Sequence, residues 1–341
     1  MIVYVTDQGS KLFKRGRRLL IKKGQNIIRW FHTKDVEQII LMGNIGLSSQ
    51  AVTFLLKNKI DTVFLSYYGN YKGRLVGEFG KNVKLRIQQQ MFLSDNKNRI
   101  NLAKTYIKAK IHNQIQHLKI RNRNICSDKV TASILKIKSI AQYELNDPKS
   151  LDSIRGIEGI AAKYYFEAFP QLIKNQNFQF TNRNRRPPKD EPNALLSLAY
   201  TLLLNQIASQ IYIAGLDPFI GALHDIDYGR QSLVLDIMEE FRPIIDNFVL
   251  NLINRNQIKS KHFSYSFEKT SSDDNTLPVC LTADGMKKFI FAFTKLLNSK
   301  FYLKDINADY ALKNIFLRQA RLLIKHIKSE KDYNPFVWSP F

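Results

Sequence analysis

In the stretch Ala103-Lys-Thr-Tyr-Ile-Lys-Ala-Lys-Ile-His-Asn-Gln114, apolar residues recur every three or four positions. Together with the residues that follow, they form one stripe made of Ala103, Ile107, Ile111, Ile115 and Leu118. This spacing is typical of an amphipathic helix. The same period, starting near Ser94, predicts further helices at 129–145, 150–168, 190–214, 229–254, 284–298 and 308–328. Residues 171–190 are interpreted as a loop and 262–282 as a short hairpin.

The residues before this stretch predict a different kind of structure. Short runs rich in Val, Ile, Phe and Tyr are separated by turn residues, which indicates strands at 2–5, 18–22, 26–30, 36–41 and 62–65. One helix is predicted from Ser48, as N-cap, to about Asn58. The segment Tyr67–Gly73 is interpreted as a loop or hairpin tip.

The fold class predicted from these two patterns is α+β and multidomain. We expect a small N-terminal β-rich domain at residues 1–85, a linker at 86–93, a larger all-α domain at 94–330 and a C-terminal tail at 331–341.

The composition predicts a polyanionic partner. The chain has 52 Lys and Arg against 29 Asp and Glu, a net charge of +23 in 341 residues. A membrane surface is disfavoured because no stretch approaches ~18 uninterrupted apolar residues and the N-terminus lacks the pattern of a signal peptide. Cys126 and Cys280 match no zinc spacing and indicate packed thiols in a reducing compartment. We therefore expect a cytoplasmic protein.

Basic residues form three clusters along the chain. The acid-free stretch Asn96–Ser127 holds Lys97, Arg99, Lys104, Lys108, Lys110, Lys119, Arg121 and Arg123. The second cluster is Arg183, Arg185, Arg186 and Lys189, and the third is Arg318, Arg321 and Lys325. A single cluster is usually a solvated surface, but three clusters and the overall charge favour nucleic acid. The candidates for phosphate contact are Lys104, Lys108, Arg183, Arg185, Arg186, Arg230, Arg318 and Arg321.

Glu158 is the first candidate site residue. Read as a helix, its neighbours three and four residues away are Ile154, Ala161 and Ala162. A carboxylate on an apolar face costs free energy unless it is paired, so a partner or ligand is expected. Gly156 and Gly159 beside it suggest the close approach of another backbone or of a ligand.

A second acidic pair, Asp236 and Glu239, shares a helix face at i,i+3 spacing, and His224 lies just upstream. The simpler alternatives are surface acids paired with Arg242, a core histidine, and a pairing of Arg230 with Asp236. Pro243 argues against a plain surface helix, because it cannot donate to the carbonyl of Glu239 and should bend the helix beside the acids. One histidine with two or three carboxylates suits Mg²⁺ or Mn²⁺ better than Zn²⁺.

These motifs together resemble a known family over essentially the whole chain: the CRISPR-associated spacer-acquisition integrases, "Cas one". The blocks that carry the resemblance are Ala103–Gln114, Ile157–Ala162 with Tyr165-Phe166, Arg185–Pro187 through Asn193–Ser197, Gly215–Pro218 with His224, and Ser232–Pro243.

The resemblance implies that Glu158, His224 and Glu239 bind the metal, with Asp236 a further acidic position of the catalytic set. It implies joining of DNA 3′-hydroxyl ends to a CRISPR repeat by transesterification. It also implies a homodimer formed through the N-terminal domain, and a heterohexamer with a small ferredoxin-like partner, "Cas two". The alternatives are a metal-dependent nuclease for branched DNA and a non-catalytic DNA-binding scaffold.

Overall fold

The computed structural model describes residues 1–77, 82–143, 150–184, 188–265 and 279–339. Strands dominate the described residues up to Leu75, and helices dominate those that follow. The predicted α+β class, with a β-rich region before a larger helical region, is confirmed.

The N-terminal region contains two four-stranded sheets and one helix. One sheet has the order β1-β5-β7-β8 and the other β4-β3-β2-β6. The bounds are β1 Ile2–Val5, β2 Lys11–Arg15, β3 Arg18–Lys23, β4 Asn26–His32, β5 Gln38–Met42, β6 Gly46–Leu47, α1 Ser49–Lys57, β7 Asp61–Leu65 and β8 Tyr71–Leu75. Ser48 caps α1 as predicted, accepting from the Ala51 N–H. The short β2 and β6 were missed, and β8 takes up the end of the segment expected as a loop.

The central strand β5 connects the two regions because both its faces are buried. Successive side chains of a strand point to opposite sides of the sheet. Ile39 and Leu41 belong to a core shared with β2 and β3, whereas Ile40 and Met42 pack into the core of the helical region. The N-terminal sheet therefore contributes directly to the core beneath the helices.

The helical region contains nine helices and two hairpins among the described residues. The helices are α2 Val83–Ser94, α3 Asn96–Asn122, α4 Asp128–Tyr143, α5 Leu151–Leu172, α6 Glu191–Ala214, α7 Ser232–Met238, α8 Arg242–Asn254, α9 Ala283–Asn298 and α10 Leu312–Ile327. The hairpin strands are β9 Phe263–Tyr265, β10 Val279–Leu281, β11 Lys300–Leu303 and β12 Ala308–Ala311. The hairpin predicted within 262–282 is confirmed by the antiparallel β9–β10 pair.

Three sequence expectations need correction. Residues 86–93, predicted as a linker, lie inside α2, whose buried Gln89 exchanges hydrogen bonds with the backbone of Asp217 and donates to the carbonyl of Ile220. The helix predicted at 229–254 is broken into α7 and α8. The start of the predicted helix at 308–328 is strand β12, which pairs with β11.

Helix α6 is the core helix of the helical region. It is long and apolar enough to cross a membrane by length and composition, the one such helix among the described residues, but 72% of its most apolar window is buried inside the protein. Burial by surrounding elements explains an apolar composition all round a helix.

The residues expected as a tail pack across the helical region. The buried carboxyl group of Glu240 accepts hydrogen bonds from the Tyr333 hydroxyl, the Phe336 N–H and the Gln319 amide. Asn113 of α3 donates to the carbonyls of Glu240 and Phe336. These bonds anchor the tail at the turn between α7 and α8.

Glu240 predicts a pH dependence of stability. Burial raises the pKa of Glu240 from its ordinary value of 4.5 to about 8, although the hydrogen bonds from Tyr333, Phe336 and Gln319 lower it. A carboxyl with a raised pKa binds more protons in the folded than in the unfolded state. Its contribution to stability is therefore present below its ordinary pKa and is lost as pH rises through its folded pKa. Between about pH 5 and about pH 8, we expect the melting temperature of the wild type to fall more steeply than that of Glu240→Gln.

Glu330→Gln, at an exposed acid of the same region, is the control and should keep the wild-type slope. Parallel melting curves for the wild type and Glu240→Gln across this pH range would contradict the assignment.

Candidate active site

Glu158 lies on α5, a helix that begins with a capping box of Ser150 and Ser153. The helix phase predicted from the sequence is confirmed, because Ile154, Ala161 and Tyr165 are buried. The Glu158 side chain is 29% exposed, at the edge of that apolar face. Its carboxylate is therefore accessible from solvent while standing against the core.

Lys110 of α3 joins Glu158 to the second acidic segment. The Lys110 side chain is only 7% exposed, although lysine is rarely buried. Its ammonium nitrogen contacts Oε1 of Glu158 and lies 2.5 Å from Oε2 of Glu239. The two carboxylates, far apart in sequence, thus converge on one cation.

Glu239 lies in the break between α7 and α8, where Pro243 predicted a bend. Its side chain is 4% exposed, and its Oε1 accepts a hydrogen bond of 2.7 Å from Nε of Arg242. The guanidinium of Arg242 also lies 4.9 Å from the ring centre of Tyr200, which fixes its position. Burial acts to raise the pKa of Glu239, but Arg242 and Lys110 outweigh it and lower that pKa to about 2. Glu239 is therefore an ionised carboxylate.

Asp236 positions His224. The buried Asp236 carboxylate accepts backbone hydrogen bonds from Ala222, Leu223 and His224 at 2.5, 3.1 and 3.0 Å. The Nδ1 atom of His224 lies 2.7 Å from Oδ1 of Asp236. When Nδ1 donates this hydrogen bond, the neutral ring keeps a free lone pair on Nε2. The pairing of Asp236 with Arg230, weighed from the sequence, is wrong, since Arg230 is exposed and other donors engage Asp236.

Two arginines also hold the His224 loop. Arg99 of α3 donates to the Ala222 carbonyl and to Asp225, and Arg155 of α5 donates to the Leu223 carbonyl and to Asp225. The pKa of Asp225 is lowered first by the hydrogen bond from Arg155, with Arg99 adding to the effect. The loop is thus tied to the two helices that carry Lys110 and Glu158.

The close packing of this loop requires glycine at position 221. A Cβ atom there would lie 2.7 Å from Oδ2 of Asp236 and from the carbonyl carbon of Ser232. Gly156 and Gly159 behave differently, because both are exposed and a Cβ would meet nothing within 4 Å. The expectation that another backbone approaches them is therefore wrong.

The donors present suit a hard divalent cation. Glu158 and Glu239 offer carboxylate oxygens, and His224 offers Nε2. The described residues hold no ready-made group of three or more His, Cys, Asp or Glu arranged around a metal position. The ammonium of Lys110 lies between the two carboxylates, so both side chains can contact one positive charge at the same time.

The predicted phosphate-binding residues occupy different settings. Lys108 and Arg321 are exposed, and Lys104 is half-buried on α3. Arg183 donates to Asn193 and Ser197 at the start of α6, and Arg318 pairs with Asp305. Arg185 and Arg186 lie outside the described residues.

Sequence reasoning missed Lys110, Arg99 and Arg155 as parts of the site. Lys110 was counted with a basic surface because it belongs to an acid-free run. The available signal was its spacing: it follows the stripe residue Ile107 by three positions and precedes Gln114, also buried, by four. A lysine at those positions faces the core side of a helix.

Comparison with known proteins identifies similar sequences over nearly the full length. The profile of the family described as CRISPR associated protein Cas1 matches residues 3–295. A CRISPR-associated endonuclease Cas1 of Thermus thermophilus is 33% identical over 98% of this chain and 96% of its own length. One of Archaeoglobus fulgidus is 32% identical over 99% of both chains.

Solved structures show the same fold. A Cas1 protein from Thermotoga maritima has a TM-score of 0.82 at 25% identity and covers 98% of this chain and 100% of its own. A casposase bound to integration product has a TM-score of 0.81 at 24% identity, covering 98% of this chain and 92% of its own. A Cas6-RT-Cas1–Cas2 complex has a TM-score of 0.81 at 23% identity, covering 97% of this chain and 35% of its own.

The contrast between the glycines predicts opposite effects of alanine. Gly221→Ala should destabilise the protein by roughly 2 kcal/mol or more, since the new methyl group overlaps Asp236 and Ser232. Gly156→Ala should stabilise it by roughly 0.5–1 kcal/mol, because alanine favours the helix and meets open space. Thermal melting of both variants measures the difference. A tolerated Gly221→Ala, with melting at or above the wild type, would show that the loop does not pack as described.

Proposed function

Because this chain belongs to the CRISPR associated protein Cas1 family, we propose that it is a divalent-metal-dependent DNA integrase and endonuclease of CRISPR adaptation. Its physiological reaction joins the 3′-hydroxyl ends of short foreign DNA to the CRISPR repeat, in the cytoplasm. The relatives of similar length are named as endonucleases, and the casposase of similar fold was solved with an integration product.

One observation carries the proposal: two carboxylates converge on a single cation beside an oriented histidine. Glu158 and Glu239 both contact the Lys110 ammonium, and Asp236 engages Nδ1 of His224, which leaves Nε2 as the ring nitrogen for a ligand. Oxygen ligands with one imidazole suit Mg²⁺ or Mn²⁺.

Glu158, Glu239 and His224 would hold this metal. When bound, a divalent cation polarises the scissile phosphodiester and stabilises the departing oxygen. Arg242 keeps Oε1 of Glu239 fixed, so that Oε2, which faces Lys110, is the oxygen directed at a cation. Asp236 keeps His224 in one tautomer and orientation.

In the strand transfer, the oxygen of the incoming 3′-hydroxyl forms a bond to the target phosphorus and loses its proton. The bond from that phosphorus to the 3′-oxygen of the target strand breaks, and this oxygen takes up a proton. A positioned DNA hydroxyl replaces a protein nucleophile, so orientation by the protein is its main contribution.

The partners we propose are double-stranded DNA, a second copy of this chain and a small ferredoxin-like Cas2 protein. The net charge of +23 supports a polyanionic partner. The exposed apolar side chains of strand β4, Ile27, Ile28 and Trp30, support pairing of two N-terminal regions. A Cas1–Cas2 assembly has been solved for a protein of similar fold.

Hydrolysis of branched DNA is the second candidate activity. The same carboxylates and histidine could serve a water nucleophile, and the relatives are named endonucleases. Strand transfer and hydrolysis differ in the nucleophile, so substrates with and without a free 3′-hydroxyl separate them.

The test combines the full chain, a Cas2 partner, Mg²⁺ or Mn²⁺ and a repeat-containing plasmid with short duplexes ending in 3′-hydroxyl or 3′-phosphate. We expect joined products with free 3′-hydroxyl ends and none with 3′-phosphate. Glu158→Gln should reduce joining by on the order of 100-fold or more, because it replaces one carboxylate ligand with an amide.

Glu167→Gln is the matched control, since Glu167 is an exposed acid on the same helix, and it should join at the wild-type rate. Plasmid that is cut without covalent joining, from both kinds of duplex, would favour the hydrolytic activity. Full joining by a folded Glu158→Gln variant would refute the proposed site.

A further inference from the structure

Lys110 has no role in the reaction as proposed so far, yet its ammonium is where two metal-binding candidates meet. It is 7% exposed and contacts Glu158 and Glu239 together. A buried lysine requires charge partners, and two buried or half-buried carboxylates require cations. Lys110 and Arg242 supply the two positive charges that balance these two carboxylates.

The two cations contact Glu239 differently. Arg242 binds Oε1 through Nε at 2.7 Å and also stacks on Tyr200, so its side chain is held at two points. Lys110 approaches Oε2 on a flexible four-carbon stem. Oε2 is buried, and it lies 2.5 Å from the Lys110 ammonium. The lysine is therefore the cation that can leave, and Oε2 is the oxygen that its departure releases.

An ammonium and a divalent cation cannot share the space between these carboxylates, because like charges at such a separation repel strongly in a partly buried site. We propose that Lys110 is an internal counter-cation that neutralises Glu158 and Glu239 before metal binding and must be displaced when the metal enters. This inference rests on the proposed metal-dependent function. It assigns Lys110 as a positioning residue that sets the metal affinity of the site.

Two consequences distinguish this role from that of an ordinary structural lysine. Without metal, removing the Lys110 charge leaves the carboxylates unbalanced, so the protein should be less stable. With metal, the same removal eliminates the competitor, so the ion should bind more tightly. A lysine that supports the metal site would produce weaker binding instead.

The experiment uses the full chain with Lys110→Met, which keeps the length of the side chain and removes its charge. Lys119→Met, at an exposed lysine of the same helix, is the control. Mn²⁺ affinity is measured by isothermal titration calorimetry, and melting temperature is measured in EDTA and in saturating Mn²⁺. For Lys110→Met we expect a lower melting temperature in EDTA, a larger rise on adding Mn²⁺ and a dissociation constant at least about tenfold smaller. Lys119→Met should match the wild type in all three.

A second variant tests the proposal even if Lys110→Met alone is too unstable to fold. In Glu158→Gln/Lys110→Met one negative and one positive charge are removed together, so in EDTA it should melt closer to the wild type than Lys110→Met does. If the losses of melting temperature caused by the two substitutions simply add in the double variant, the pairing of Lys110 with Glu158 is overturned.

The outcomes separate this inference from the proposed function. If the wild type binds Mn²⁺ and Lys110→Met binds it equally or more weakly, the counter-cation role is overturned while metal binding stands. Absence of Mn²⁺ binding in both proteins overturns the metal-dependent function together with this inference. If only Lys110→Met binds Mn²⁺, the result supports the proposal, because the lysine of the wild type then competes successfully with the ion for the carboxylates.

Discussion

The charge balance around Glu239 is the constraint on which the site depends. Lys110 from α3, Glu158 from α5 and Glu239 from the α7–α8 break meet there, with Arg242 completing the balance. Because the groups are largely buried, removing one charge leaves another uncompensated, which typically costs several kcal/mol. The same contact that joins three elements of the fold therefore brings together the two carboxylates proposed to bind metal.

A second set of contacts makes the histidine rigid while the lysine stays replaceable. Asp236 accepts hydrogen bonds from three backbone N–H groups of the loop and contacts Nδ1 of the His224 ring. Arg99 of α3 and Arg155 of α5 donate to carbonyls of the same loop. The site thus combines one fixed nitrogen donor with two carboxylates that share a movable cation. Such a division would suit the proposed metal site, because the carboxylates are charge-balanced before metal binding and can exchange the lysine for the ion.

Much of this arrangement could be predicted from the sequence, because periodicity reports which face of an element is buried. The phase of α5 placed Glu158 beside buried Ile154 and Ala161, and Pro243 marked the break next to Glu239. The contacts across elements could not be predicted in this way. Lys110 looked like surface charge, since its partners lie on other helices. Residues 86–93 were predicted as a linker, since the contacts of Gln89 with Asp217 and Ile220 are equally remote in sequence. The roles of Glu158, His224, Glu239 and Asp236 in catalysis stay predictions.

The most direct measurement is anomalous diffraction from crystals of the full chain grown with Mn²⁺. A single position between Glu158, Oε2 of Glu239 and Nε2 of His224 should show anomalous density, with the Lys110 ammonium moved away from both carboxylates. Arg242 should keep its contact with Oε1 of Glu239. Manganese bound elsewhere with this position empty, or Lys110 still bridging the carboxylates at saturating Mn²⁺, would contradict the account.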